Sequence, residues 1–361
     1  MTMNDNVEEI EKIDISTDDN SDLPPTDIVA YNELRSCADL VRLHQEGILI
    51  IQPDFQREIV WKNPDQSRFI DSLIKQLPIP SLCFSLDYKT DKRLVIDGLQ
   101  RMKSIVNFLT DENWILSKLD DIDDRISGKK VSQIRQEYPK IFERVQNVTL
   151  PITVLRCDYS KSSHINYLFT IFHRLNKEGT KLNNQEIRNA IFSGAFNNLL
   201  KDCNKNEKWR ILIGIKEDKV YRFLKEELIL RFFAFFDNYS NYKGSLNKFL
   251  NEYMLLNKNL NQSKIEEKKL LFIETVEIIF NKLSNQQILN RTSNVIVESL
   301  MIGIAKNLSF VKDLEYGVLA NMFGCLLSDN SFSDENLRSN LTSKDKVLKR
   351  IETAIKVFSG Q

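Results

Sequence analysis

The sequence predicts an α+β chain, with a sheet-bearing N-terminal lobe followed by an all-helical C-terminal lobe. Three observations carry that reading. Short β-branched or aromatic runs at Ile48–Ile51, Leu82–Leu86, Arg93–Ile96 and Val148–Arg156 lie in the first half and alternate with segments of helical period. From about residue 205 the apolar residues keep a helical spacing over 219–236, 245–256, 264–283, 294–308 and 344–358. Finally, 361 residues at 42% hydrophobic and 28% charged are enough for two packed lobes and too apolar for a disordered chain. The predicted organisation is a disordered acidic tail over 1–26, a sheet domain over 27–203 and a helical domain over 204–361.

Residues 1–27 hold nine acids against Lys12 alone, and the tail finishes in Pro24-Pro25. It reads as a solubilising segment, with a polyanion lying over a basic surface as the sharper alternative. Past residue 27, 49 basic residues face 41 acidic ones, a mild surplus that permits contact with nucleic acid without establishing it. No apolar run approaches the roughly 18–20 residues of a membrane span, and the N-terminus is acidic where a signal peptide is basic, so no membrane contact and a cytoplasmic location are expected. The five scattered cysteines suggest neither disulfides nor a zinc site.

A helix is predicted from Asp27, with Val29, Leu34, Ala38 and Val41 or Leu43 on one side and a stop at Gly47. The short strand Ile48–Ile51 follows, then an extended segment Pro53–Trp61 in which aromatics at both ends pin the chain while Gln56 and Arg57 point elsewhere. Asn63 caps a helix that has Pro64 at its first position, with Phe69, Ile70, Leu73, Ile74 and Leu77 as its buried stripe. Strands Leu82–Leu86 and Arg93–Ile96 form a hairpin. The acids Asp120, Asp121, Asp123 and Asp124 read as a solvated loop, since they lack the spacing and glycine of a calcium loop. A helix over 163–177 buries Ile165, Leu168, Phe169 and Phe172, and a further helix carries Glu186 and Arg188. The run from Phe232 to Phe236 is aromatic on more than one face, which places that helix at the centre of a bundle.

The stretch Arg93–Leu109 holds the most chemistry. An apolar strand ends at Asp97, Gly98 makes the turn, and Gln100 and Arg101 open a helix whose apolar residues recur at Ile105, Val106, Phe108 and Leu109. A helix start attracts anions, because its first N–H groups lack intrahelical partners and the helix dipole favours negative charge. The stretch is thus either a phosphate site or an ordinary connection whose helix Asp97 merely caps. A second polar group, His173, Arg174 and Asn176, surrounds a helix C-terminus, where basic groups also complement the dipole. His173 reads as a packing or capping residue. No phosphate loop of the GxxxxGK[ST] type, no HExxH or CxxC pairing and no GxSxG elbow occurs, which leaves a carboxylate metal site at Asp97 as the open catalytic option.

Three motifs together resemble one family: Pro53-x-Phe55-Gln56-Arg57-x-x-Val60-Trp61, then Asp97-Gly98-x-Gln100-Arg101, then Phe172-x-Arg174-x-Asn176-x-x-Gly179-x-x-Leu182-x-x-x-Glu186-x-Arg188. They resemble the family found as the N-terminal domain of GmrSD-type modification-dependent restriction enzymes, over roughly residues 40–260. The resemblance implies a ParB/sulfiredoxin-like core with a strand-loop-helix phosphate site, and a DGQQR-type motif linked to NTP binding and hydrolysis in phage defence. Many relatives carry an HNH nuclease domain, for which this chain lacks the histidines. Leu99 stands where the common motif has its first glutamine, and it is expected to face the core. Binding is therefore favoured over turnover.

These readings combine into the expectation of a nucleotide-binding protein of a restriction-type system, with NTP hydrolysis as its further activity. Gln56, Arg57, Gly98, Arg101, Lys103, Arg174, Asn176 and Arg188 are the candidate nucleotide or phosphate ligands. Asp97, Gln100 and Glu186 are the candidate catalytic residues, with Asp97 also holding Mg²⁺ that arrives with the NTP. The alternatives are a DNA-binding or partner-binding protein without turnover and a metal-dependent nickase. A separately encoded nuclease or defence partner and a homodimer complete the expected associations.

Overall fold

A computed structural model describes residues 24–51, 61–175, 184–215, 224–289 and 293–360. The chain divides into two compact units, one over residues 23–182 and one from residue 183 onward. The first is mixed α/β and the second helical, which is the α+β arrangement expected. The acidic tail through residue 23 and residues 52–60 lie outside the described residues.

The first unit is built on five strands, β1 (Val29–Ser36), β2 (Leu49–Ile50), β3 (Leu82–Asp87), β4 (Arg93–Asp97) and β5 (Thr149–Cys157), in the order β1-β5-β3-β4-β2. β1 runs antiparallel to β5, β5 parallel to β3, β3 antiparallel to β4, and β4 parallel to β2. Every residue of the central β3 is buried. Helices α1 (Cys37–Gln45), α2 (Asn63–Ile74), α3 (Leu99–Thr110), α4 (Val131–Glu137) and α5 (Pro139–Asn147) share a core with the sheet, in which Leu40, Ile70, Met102, Ile105, Phe108 and Ile134 meet Phe84, Val95, Ile152 and Val154. Helix α6 (Ser162–Leu175) packs on β4 and buries Ile165, Leu168, Phe169 and Phe172.

Two local expectations are corrected. Residues 29–36 are a strand and not the start of a helix: each pairs with a residue of β5, from Val29 with Arg156 to Ser36 with Thr149. The helix begins only at Cys37, where the Ser36 hydroxyl accepts the Asp39 N–H and so caps it. Asn63 does not cap α2. That place is taken by Lys62, and the Asn63 amide instead donates to the Ile115 carbonyl and accepts from the Trp114 indole. Leu77 falls beyond the end of α2 and is half exposed.

The helical unit contains α7 (Asn184–Ile191), α8 (Ala195–Asn204), α9 (Glu207–Leu212), α10 (Leu224–Asn238), α11 (Leu246–Asn257), α12 (Gln262–Lys282), α13 (Asn294–Lys306), α14 (Leu308–Val311), α15 (Tyr316–Ser328) and α16 (Lys344–Phe358). As its aromatic run predicts, α10 is central: Phe232, Phe233 and Phe235 are buried, and the helix packs on α8, α11 and α13. Each such ring contributes roughly 2–3 kcal/mol of burial. α13 and α16 approach closely because Gly303 has no side chain, as a Cβ there would lie 2.7 Å from the Ala354 carbonyl oxygen. Among the described residues no helix is long and apolar enough to cross a membrane.

Candidate functional site

The turn between β4 and α3 follows from its sequence. Leu94, Val95 and Ile96 are buried strand residues, and Met102, Ile105 and Phe108 bury one face of α3. Between them Gly98 takes φ +92°, a left-handed conformation that side chains rarely adopt, and a Cβ there would lie 2.1 Å from Leu82 Cδ2. Gly98 is the N-cap, so the first helical amides receive no capping side chain, and the first turn contains no acid. The first intrahelical bond closes from the Met102 N–H to the Gly98 carbonyl. Asp97 is therefore not the cap of this helix.

Its carboxylate is turned instead to Arg101, whose Nη2 donates to Asp97 Oδ2 at 2.8 Å. Arg101 Nη1 donates to the Pro80 carbonyl, which fixes the plane of the guanidinium beside the turn. The Arg101 side chain is 13% exposed and that of Asp97 38%. Burial pushes Arg101 down from its ordinary range and the Asp97 charge opposes this, so the cation is held by its partner rather than by water.

Next to it, both polar atoms of the Gln100 amide are buried and have no hydrogen-bond partner among the described residues. Leaving a buried donor or acceptor unmet costs about 1–3 kcal/mol. Leu99 packs on the hydrophobic core, as expected of an apolar residue at that position. Lys103 is half-buried and lies about 200° around α3 from Arg101. Cys83 pairs in register with Asp97, and burial together with the Asp97 charge pushes its thiol up to about 12.

Among the described residues Asp97 belongs to no group of three His, Cys, Asp or Glu able to hold a metal. Asp97 Oδ1 carries no bond from a described residue, and one carboxylate suits Mg²⁺ that arrives with phosphates and keeps its waters. Two of the acids of residues 120–124 are engaged otherwise: Asp121 pairs with Arg68 and Asp123 with Arg125, which holds the Asp123 carboxyl at about 2.

The turn thus brings together Asp97, Gly98, Gln100 and Arg101, with Lys103 on the same helix. Arg174 is exposed in the last turn of α6, the helix that packs on β4. Gln56, Arg57 and Asn176 lie outside the described residues, as does the side chain of His173.

Glu186 and Arg188 belong to the helical unit, on α7, and both are buried. Arg188 is the hub of a polar interior: Nε donates to Asn251 Oδ1 (2.9 Å), Nη1 to Glu227 Oε2 (2.9 Å) and Nη2 to Asn247 Oδ1 (2.8 Å). Glu227 also accepts from Arg231 at 2.7 Å. Burial raises the Glu227 carboxyl, but the Arg231 and Arg188 charges outweigh it and hold the group below its ordinary range. Glu227 and Arg231 lie in the stretch Glu226–Phe232, which resembles the family's helical portion, whereas no motif marks Gln185, Asn247 and Asn251. The signals available were Glu227 and Arg231 four residues apart inside an apolar helix, and Asn247 and Asn251 four apart beside Leu246 and Leu250.

Residues 37–193 match the family model described as GmrSD restriction endonuclease, N-terminal domain. No curated protein and no solved structure matches the chain.

Proposed function

Since residues 37–193 form a GmrSD-type N-terminal domain, we propose that the protein is a component of a restriction or phage-defence system that binds a nucleoside triphosphate at the β4–α3 turn. The observation that carries this reading is the buried Gln100 amide, unpartnered among the described residues, beside an uncapped helix start and a fixed Arg101. A phosphate would meet the amides of Leu99, Gln100 and Arg101, and the guanidinium N–H groups that Asp97 and Pro80 leave over. Gln100 Nε2 would donate to a phosphate oxygen or orient a water. Arg174, exposed on α6, would supply a further cation.

Asp97 Oδ1 would hold Mg²⁺, whose contribution when bound is to neutralise charge on the phosphates. Hydrolysis in this reading rests on position and charge, since phosphoryl transfer leaves little covalent chemistry to the protein. Arg188, whose donors serve Glu227 and two asparagines, holds the helical unit together rather than a phosphate. DNA would be the target of a separately encoded nuclease partner.

The test is calorimetric titration of the full chain with each of the four NTPs and Mg²⁺. Two charged hydrogen bonds to phosphate are worth about 3 kcal/mol, so Arg101→Ala should weaken binding roughly a hundredfold with the circular dichroism spectrum unchanged. Gly98→Ala should abolish binding through strain and the contact with Leu82. Folded wild-type protein that gives no heat with any NTP would refute the reading.

A further inference from the structure

The outer edge of β1 is a long open strand edge. In the sheet order β1 is terminal, eight residues long, and bonded on one side to β5. Which residues face outward follows from two bonds at the ladder ends. The Cys37 N–H donates to the Val148 carbonyl, so odd-numbered residues of this segment direct their amides and carbonyls to β5. The Tyr88 N–H donates to the Cys157 carbonyl, so odd-numbered residues of β5 face β3 and its even ones face β1, in agreement. The N–H and C=O groups of Ala30, Asn32, Leu34 and Ser36 therefore point away from the sheet. Among the described residues no backbone group bonds to those of Ala30, Asn32 and Leu34, while the Ser36 carbonyl, at the N-cap, accepts the first intrahelical bond of α1.

The strand lacks several of the features that usually blunt an edge, since it contains no proline, no lysine and no bulge against β5. Leu34 is 70% exposed, the most exposed large apolar residue on it, and it walls a shallow depression with Asn32, Ser81, Pro151 and Thr153. The charges on the strand stand in order: Arg35 bonds Glu33 and Asp39, and Arg93 bonds Glu33. Glu33 and Arg35 keep 18% and 26% side-chain exposure.

We propose that β1 pairs antiparallel with β1 of a second copy, about a two-fold axis through Leu34. An isologous contact requires a surface complementary to itself, and this register supplies one. It pairs the two Leu34 residues and sets Glu33 opposite Arg35 of the second copy, twice. Those are the pairs that do not exchange backbone bonds, in which side chains sit closest. The two Leu34 residues then exchange a pair of backbone bonds across the axis, and the Ser36 N–H of each copy donates to the Asn32 carbonyl of the other. An axis through Glu33 would oppose two carboxylates, and one through Asn32 would set Arg35 against Val29 and Glu33 against Tyr31. The charge order thus selects both the occupant and the register.

The full chain is examined by sedimentation equilibrium and light scattering across the micromolar range. Wild type should run at twice its 42.1 kDa chain mass. Leu34→Pro removes an outward N–H without touching the bonds to β5, and should give a monomer with unchanged circular dichroism and thermal midpoint. Glu33→Arg and Arg35→Glu should each be monomeric, because each opposes like charges, while an equimolar mixture of the two should form a heterodimer in which every pair is again opposite. If Leu34→Pro misfolds, the charge variants decide. A monomeric wild type, or a mixture of the two charge variants that stays monomeric, overturns the proposal.

Discussion

Replacing Arg188 by methionine retains the bulk of the side-chain stem and removes the charge that faces Glu227. Arg188 is fully buried and gives bonds to Asn251, Glu227 and Asn247. Removing one partner of a buried ion pair costs about 3–5 kcal/mol, because the other charge is left in a medium that solvates it poorly. Arg231 still bonds Glu227 after the change, which places the expectation at the lower end, about 3 kcal/mol. With a slope of roughly 2 kcal/mol per molar urea for a unit of this size, the unfolding midpoint should fall by about 1.5 M. Trp209, buried against Phe272, reports this unit alone once Trp61 and Trp114 are changed to phenylalanine. The sign with pH also follows. Glu227 is held below its ordinary range, so its contribution is present above the unfolded value of about 4.3 and is lost as pH falls through the folded one. The gap between wild type and variant should accordingly be full at neutral pH and narrow on acidification. Glu227→Leu added to Arg188→Met should recover part of the loss. An unchanged urea midpoint for Arg188→Met, together with lost NTP binding, would refute this account and make Arg188 a ligand.

Two further outcomes rest on titratable groups. Hydrogen bonds from Lys161 and His164 hold Asp27 at about 2, so its stabilisation is present above the unfolded value of about 3.9 and vanishes as pH falls toward 2. Asp27→Asn should therefore lower the thermal midpoint near neutral pH and converge with wild type in acid, whereas parallel curves would contradict the assignment. Burial pushes the thiols of Cys37, Cys83, Cys157 and Cys203 up to about 12, while Cys325 is exposed. A thiol-exchange reagent at mildly alkaline pH should titrate one cysteine in the native chain and all five in denaturant. Rapid modification of a second native thiol would count against that packing.

The Arg93–Leu109 stretch was legible because each part obeys a local rule: buried β-branched residues, a glycine where φ must be positive, and Met102, Ile105 and Phe108 at helical spacing. β1 was not legible. Its first four residues are exposed on both faces, so no period-two pattern survives, and Val29, Leu34, Ala38 and Val41 happen to share a helical stripe. What makes it a strand is β5, far along the chain. The Gln100 amide could be named as polar from sequence, but that both its atoms lie buried without a partner among the described residues is a property of packing. Arg188 was found by residue type and spacing, whereas its surroundings come from Glu227, Asn247 and Asn251 on two other helices, which no local pattern joins.

The pairing of β1 with β5 also sets a schedule for synthesis. Val29 meets Arg156 and Ser36 meets Thr149, so the first strand to leave the ribosome must wait for more than a hundred residues before its ladder exists. At roughly 5–20 residues per second that interval is about 6–25 s. β3 and β4, joined by a short turn, close their hairpin early, and β5 then docks beside β3 and opens a place for β1. By chain order the sheet grows outward from its centre and its earliest strand joins last. During that wait residues 29–36 are the segment of the nascent chain that a chaperone, or another nascent copy, would meet first.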